Sequence, residues 1–309
     1  MIVLVARWTW VALVSLGVGG GIVAQGERGL LFPNAAIVAP SVARDSTPAR
    51  VVSLLPSLTE IMFAIDEGHR VVGVSDFDDF PPEVTTLPSV GGLIHPNLES
   101  IVALKPDLIV ADQSHSVNGS VSRLRELGLR IEVFSVTTAM TFDDLYQAIG
   151  SLGQIFDATE AARNVVQTMQ LSITEVRQRL GGVTPVTLYC ELWADPIIAV
   201  SGGSFEGHLI ELAGGDNIAA SLSGRSPRIG TEFVLQQDPS VILLPGGGVV
   251  PGLASPKIIA ARPGWRHLQA LKQGRVYTIN HAHFARHGPR SVLAVQEIAQ
   301  LLHPELVWE

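Results

Sequence analysis

The chain uses one phrase twice. Asn97-Leu-Glu99-Ser-Ile-Val-Ala-Leu-Lys-Pro106-Asp-Leu-Ile-Val110 and Thr231-Glu232-Phe-Val-Leu-Gln-Gln-Asp-Pro239-Ser-Val-Ile-Leu-Leu244 each offer a capping residue, an early glutamate, one short helix, a proline stop and an apolar strand. In both, the glutamate stands seven residues before the proline. A segment repeated so far along the chain marks two lobes of like build. Two lobes leave a cleft between them, and such clefts are where small ligands bind.

The remainder can supply two such lobes. With 309 residues, 47% apolar and 16% charged, the chain has material for two sizeable cores. A net charge of −8 and the lack of any lysine- or arginine-rich run argue against nucleic acid as a partner, because phosphate binding needs a positive face. Cys190 is the only cysteine, which excludes an internal disulfide and a thiolate metal cluster. Residues 1–24 carry one early positive charge, Arg7, and then an uncharged stretch from Trp8 to Ala24 rich in Val, Leu and Gly. That is the layout of an export signal, and its length also permits an uncleaved anchor. No cysteine follows it directly, so a lipid-modified N-terminus is not expected. Residues 25–49 mix Gly, Pro, Ala, Ser and charge without periodicity and read as a linker.

From Arg50 onward strands alternate with helices, the pattern of a mostly parallel sheet. Strands are predicted at Arg50–Leu55, Val71–Val74, Leu108–Ala111 and Ile131–Phe134, with Ser57 capping the first helix and another helix over Val121–Leu127. Between Ala158 and Leu180 the pattern changes. Ala162, Val166, Met169, Ile173, Val176 and Leu180 form one apolar stripe along a long helix stopped by Gly181-Gly182. The alternation then restarts with a strand at Pro185–Cys190, a Ser204-capped helix through Leu212, the Glu232 helix, strands at Val241–Leu244 and Arg275–Ile279, and a last helix begun by Pro289. The predicted fold is α/β: two Rossmann-like lobes with parallel sheets, 50–156 and 183–309, joined by one long connecting helix over 157–182 that acts as a stiff hinge.

Ligands of parallel sheets sit beyond the carboxyl ends of the strands. Three loops qualify: Asp112-Gln-Ser-His115, Pro245-Gly246-Gly-Gly248 and Asn280-His281-Ala-His283-Phe-Ala-Arg286-His287. Either they are polar because they are exposed, or they line the cleft. A His281-x-His283 pair on an extended segment would point both rings to one side and could hold a metal, yet Phe284-Ala285-Arg286 places no carboxylate beside it. Gly246-Gly-Gly248 lacks the lysine and hydroxyl residue of a phosphate loop. Trp193, just after the first strand of the second lobe, either reaches the cleft mouth or packs in the core. Glu99 and Glu232 are favoured by the helix dipole in a first turn; as a matched pair, one per lobe, they could also dock a partner bearing two positive patches.

Four segments carry a resemblance: Arg50-Val-Val-Ser-Leu-Leu-Pro-Ser57-Leu-Thr-Glu60, Val72-Gly-Val-Ser-Asp-Phe77-Asp-Asp-Phe-Pro-Pro82, Asn97-Leu-Glu-Ser-Ile-Val-Ala-Leu-Lys-Pro-Asp107 and Gly288-Pro-Arg290. Over about residues 50 to 305 the chain resembles the helical-backbone (class III, TroA-like) binding proteins. These are extracytoplasmic receptors of ABC importers for vitamin B12, ferric siderophores and haem, and the likeness looks closest to the B12 branch. The resemblance implies comparatively rigid lobes, no cofactor, a monomer that meets a permease, and docking of Glu99 and Glu232 onto permease arginines, away from the ligand contacts. It places Ser57, Phe77, Leu93, Asp112, Trp193, Arg228, Gly246, His281, His283 and Arg286 at the ligand. Leu93, Asp112 and Ser226 fall where that branch has tryptophans, and no tyrosine lies near the first-lobe loops for the haem receptors' ligation. Arg225, Arg228 and Arg286 suit an anionic iron chelate.

The expected function is therefore capture of a corrinoid or iron complex between two lobes and delivery to a permease. Two alternatives remain at this point. One is an exported metal-dependent hydrolase using His281 and His283. The other is a receptor for haem or for a divalent metal, the latter held by a set such as His95, His115 and His283.

Overall fold

Residues 47–138, 141–246 and 253–308 are described by the computed structural model. The predicted export segment, 1–24, and nearly all of the linker lie outside them. Among the described residues no helix is long and apolar enough to cross a membrane.

The first lobe contains β1 (Val51–Ser53), α1 (Pro56–Ala64), β2 (Val71–Gly73), α2 (Leu98–Ala103), β3 (Leu108–Asp112), α3 (Gln113–Val117), α4 (Ser120–Glu126), β4 (Ile131–Phe134) and α5 (Phe142–Ile155). The connecting helix is α6 (Thr159–Arg179). The second lobe follows with β5 (Val186–Ala194), β6 (Ile197–Ala199), α7 (Phe205–Leu212), β7 (Gly215–Asn217), α8 (Thr231–Gln237), β8 (Val241–Pro245), α9 (Pro256–Ala261), α10 (Gln269–Lys272), β9 (Val276–Ile279), α11 (His281–Ala285) and α12 (Ser291–Leu302).

The first sheet runs β2-β1-β3-β4, all parallel. In the second, β7, β5, β8 and β9 are parallel in that order. Counted within its own lobe, each sheet thus runs second-first-third-fourth, and β3 and β8, the strands of the repeated phrase, hold the same place. The exception is β6, which folds back antiparallel on the end of β5. Strands β3 and β8 are buried throughout, as runs of Leu, Ile and Val covered on both faces must be.

The connecting helix has 21 residues, about 32 Å at the usual rise. Ala162, Met169, Ile173 and Val176 of the predicted stripe are buried, packing against α1, α5, α7 and α12 from both lobes.

Three expectations are corrected. Ser57 does not cap α1: Leu55 takes that place and Pro56 opens the helix, since proline at a first helical position forfeits no hydrogen bond. The second copy of the repeat is capped by Gly230 without a side-chain bond, whereas Asn97 caps the first by accepting from the Ser100 amide. The segment after β9 is the helix α11, its N-terminus held by Asn280, which accepts from the Ala282 and His283 amides.

Candidate functional site

The carboxyl ends of the two sheets face each other, and the loops beyond them meet. On the first lobe, the loop after β2 is closed by Asp78, whose Oδ2 accepts from the Ser75 amide at 2.9 Å and from the Ser75 hydroxyl. Burial pushes the Asp78 carboxyl up despite those bonds. Phe77 is left 55% exposed, its ring beside Gly92. Ile94 is 65% exposed, its carbonyl accepting from the Asn118 side-chain Nδ2, while Leu93 leans onto the core.

Asp112 points into the protein rather than into open space. It is fully buried, with Oδ1 accepting from the Ser114 amide and the Thr137 hydroxyl and Oδ2 from the Thr137 amide. Burial would raise its carboxyl, but these donors win and hold it below the usual range. It is the cap that fastens α3 to the end of β4. His115, also buried, completes the capping box by accepting from the Asp112 amide at 3.1 Å, and burial lowers its pKa.

On the second lobe, Trp193 stands in the β5–β6 hairpin, 39% exposed, with its indole NH donating to the Asp195 carbonyl at 3.0 Å. The residues around it are braced from below. Arg262 donates from both guanidinium ends to Glu191 at 2.6 and 2.8 Å and to the Ala194 carbonyl at 3.1 Å; the Tyr189 hydroxyl adds a bond to Glu191 at 2.8 Å. Arg262 also lies over Trp265 at 4.6 Å. Arg228 bridges to β6 through its backbone and is exposed.

Several side chains cross from the second lobe to the first. Arg225 donates to the Thr137 carbonyl at 3.0 Å. His287 donates from Nδ1 to the Val136 carbonyl at 2.8 Å, its Nε2 facing Glu206 at 3.3 Å. Burial alone would raise Glu206, but His287 holds it below the usual range. Arg290 binds Glu60 through its amide and Nε, both at 2.9 Å. Gly288 allows this approach, since a Cβ there would come within 3.1 Å of a Glu60 oxygen. Arg286 makes a two-pronged pair with Asp79, one prong 2.8 Å long, and donates to the Phe77 carbonyl at 3.2 Å. That pairing, opposed in part by desolvation, keeps Asp79 below the usual carboxylate range.

The structure therefore redistributes the predicted ligand set. Phe77, Trp193 and Arg228 present exposed side chains at the carboxyl edges. Ser57 is buried in α1, and Gly246 is a buried turn residue at φ +64° whose amide already donates to the Ile279 carbonyl; residues 247–252 lie outside the description. Arg286 faces Asp79 rather than open solvent. His281 and His283 sit on a helix, where residues two apart point to nearly opposite sides, so the extended His-x-His geometry is overturned. Burial first, and the charges of Arg286 and Arg290 second, lower the pKa of His281 and His283 respectively. Among the described residues no group of three or more His, Cys, Asp or Glu side chains is placed to hold a metal; His95, His115 and His283 do not converge. Sequence reasoning does not single out Glu60, Asp79, Arg262, Glu191 or Arg290 as an interacting set, although Glu60, Asp79 and Arg290 each stand inside one of the motifs quoted above.

Glu99 and Glu232 are each the second residue of their helix, and both are exposed. A crossover helix begins at the carboxyl edge of its sheet. The two glutamates therefore lie toward the carboxyl edges of their sheets.

Two cavities among the described residues flank the connecting helix. One of about 460 Å³, lined partly by Tyr146, Arg177 and His208, lies between α5, α6 and α7. An apolar one of about 530 Å³ lies between α1, α6 and α12.

Comparison with known proteins agrees with this architecture. A vitamin B12-binding protein of Pectobacterium atrosepticum is 28% identical over 260 residues, covering 82% of this chain and 88% of that one. An uncharacterized ABC transporter substrate-binding lipoprotein of Bacillus subtilis is 29% identical over 263 residues, covering 84% and 81%. The crystal structure of the periplasmic vitamin B12-binding protein of Vibrio cholerae superposes with a TM-score of 0.69 at 27% identity, covering 84% of this chain and 98% of that one. The family model described as periplasmic binding protein matches residues 51–282, from β1 into α11. Two parallel-sheet lobes of equal strand order, meeting at their carboxyl edges over one connecting helix, are thus the form that this sequence gives to a family of binding proteins: the chain belongs to the periplasmic binding protein family.

Proposed function

We propose that the protein is the extracytoplasmic substrate-binding component of an ABC importer, and that its cargo is a corrinoid held between Phe77 of the first lobe and Trp193 of the second. The observation that carries this reading is the character of the two edges: each presents an exposed aromatic ring, while Arg286 and Arg290 are occupied by carboxylates of the chain itself. A multiply anionic iron chelate would need several uncommitted cations, and Arg286 and Arg290 are not available to it. A large ligand with apolar faces needs rings to lie against. Covering the exposed part of two such side chains contributes on the order of 1 kcal/mol each. The B12-binding relatives support the same choice. Because many links already join the lobes, affinity comes from cleft contacts with little reordering.

Cyanocobalamin, haem and a panel of ferric siderophores titrated against intrinsic tryptophan fluorescence test this. Saturable binding of cyanocobalamin alone is expected, with Phe77→Ala and Trp193→Ala each weakening it by about 10- to 100-fold. Binding of a siderophore but not cyanocobalamin refutes the corrinoid reading.

Delivery is assigned to Glu99 and Glu232, exposed carboxylates at equivalent positions on the two lobes. Rim charges act on association more than on the bound state. The double variant Glu99→Lys/Glu232→Lys is expected to lose uptake in cells while keeping cyanocobalamin affinity within about twofold; an equal loss of both would end this division of labour.

A further inference from the structure

We propose that Arg286 is a positioning residue: anchored in the second lobe, it holds the first-lobe loop that presents Phe77, so that the placement of one lobe's ligand-facing ring is set by the other lobe. This rests on the reading that Phe77 meets the cargo.

The loop is tied to its own lobe through Asp76 and Asp78, which flank Phe77. Asp76 is tied to the Ser89 hydroxyl, and its amide donates to the Gly91 carbonyl at 2.9 Å. Asp78 closes back onto Ser75. To these the second lobe adds its own fastenings at Phe77, Asp79 and Phe80. Arg286 takes the Phe77 carbonyl and both Asp79 oxygens, and Arg290 lies 3.7 Å from the centroid of the Phe80 ring.

Arg286 is itself fixed. It ends α11, and its carbonyl accepts from the Ser291 hydroxyl at 2.8 Å and from the Gly288 amide at 2.8 Å. Ser291 is fully buried. A planar guanidinium can engage a carboxylate with two prongs and still reach a carbonyl, whereas a lysine ammonium cannot hold that geometry. Asp79 is 63% exposed, so the pair adds little to global stability. Its effect is on where the loop sits.

The test is amide hydrogen exchange over residues 76–80 in the full chain, together with cyanocobalamin affinity. In Arg286→Ala, exchange over that loop is expected to rise about tenfold or more with the unfolding midpoint nearly unchanged, and Arg286→Lys is expected to behave like Ala. Asp79→Asn should reproduce the loosening from the other side, which keeps the test decisive if an Arg286 variant folds poorly. Affinity should fall about tenfold in Arg286→Ala and fall no further when the substitution is added to Phe77→Ala, because Arg286 acts through Phe77. Unchanged loop exchange overturns the proposal, as does a full additional loss in the Phe77→Ala background, which would mean that Arg286 touches the cargo directly. If cyanocobalamin does not bind the unaltered protein, the corrinoid reading fails by itself, and the exchange measurement still decides whether Arg286 holds the loop.

Discussion

The two exposed aromatics, Phe77 and Trp193, stand at matching edges of matching sheets but are supported in opposite ways. Trp193 rides on a hairpin braced inside its own lobe, by an Arg262–Glu191 pair whose side chains are 12% and 0% exposed. Phe77 rides on a loop held from the other lobe by an Arg286–Asp79 pair open to water on its acidic side. The lesson concerns what a charge pair does at each depth. A buried pair whose partner is removed leaves an uncompensated charge, so it is tied to the survival of the fold. An exposed pair costs little to break, so it can serve placement without endangering stability.

This contrast can be broken in a graded series. Glu191→Ala strands Arg262 and the Tyr189 hydroxyl in the second lobe and is expected to cost about 3–5 kcal/mol, read as a lowered urea midpoint. Asp79→Ala, the corresponding truncation in the exposed pair, is expected to cost under about 1 kcal/mol by the same measurement. Equal losses would show that depth does not separate the two supports. The smallest effect is in acid. The folded-state pKa of Asp79 lies below its unfolded value, so the pair's contribution is complete above the unfolded value and is lost as pH falls through the folded one. A carbon NMR titration of the Asp79 carboxyl should give a midpoint below the usual carboxylate range, returning to that range in Arg286→Ala.

How far the sequence could be read follows from the range of the interactions involved. Periodicity located α6 and its buried stripe, because each turn of a helix repeats the same demand on its neighbours. The repeated phrase placed β3 and β8 at equivalent positions for the same local reason. Asp112 could not be read correctly, since a carboxylate that caps a helix and one that meets a ligand look alike in a loop until the Thr137 amide and hydroxyl are seen to fill its lone pairs. His281 and His283 were misread through one boundary: Asn280 starts a helix at once, with no stretch of extended chain before it. Arg286 and Asp79 lie 207 residues apart. Their pairing exists only after both lobes have folded and met, and no local pattern announces it.

The connecting helix and the side chains that cross between the lobes hold the molecule from two sides, and such a frame resists hinge closure. The separation between Glu99 and Glu232 would then be nearly the same in a filled receptor as in an empty one. A transporter that felt only those two carboxylates would gain no report of whether anything had arrived. The message would then have to come from the space between them, where a cargo held as proposed beside Phe77 and Trp193 would change the surface that the transporter meets.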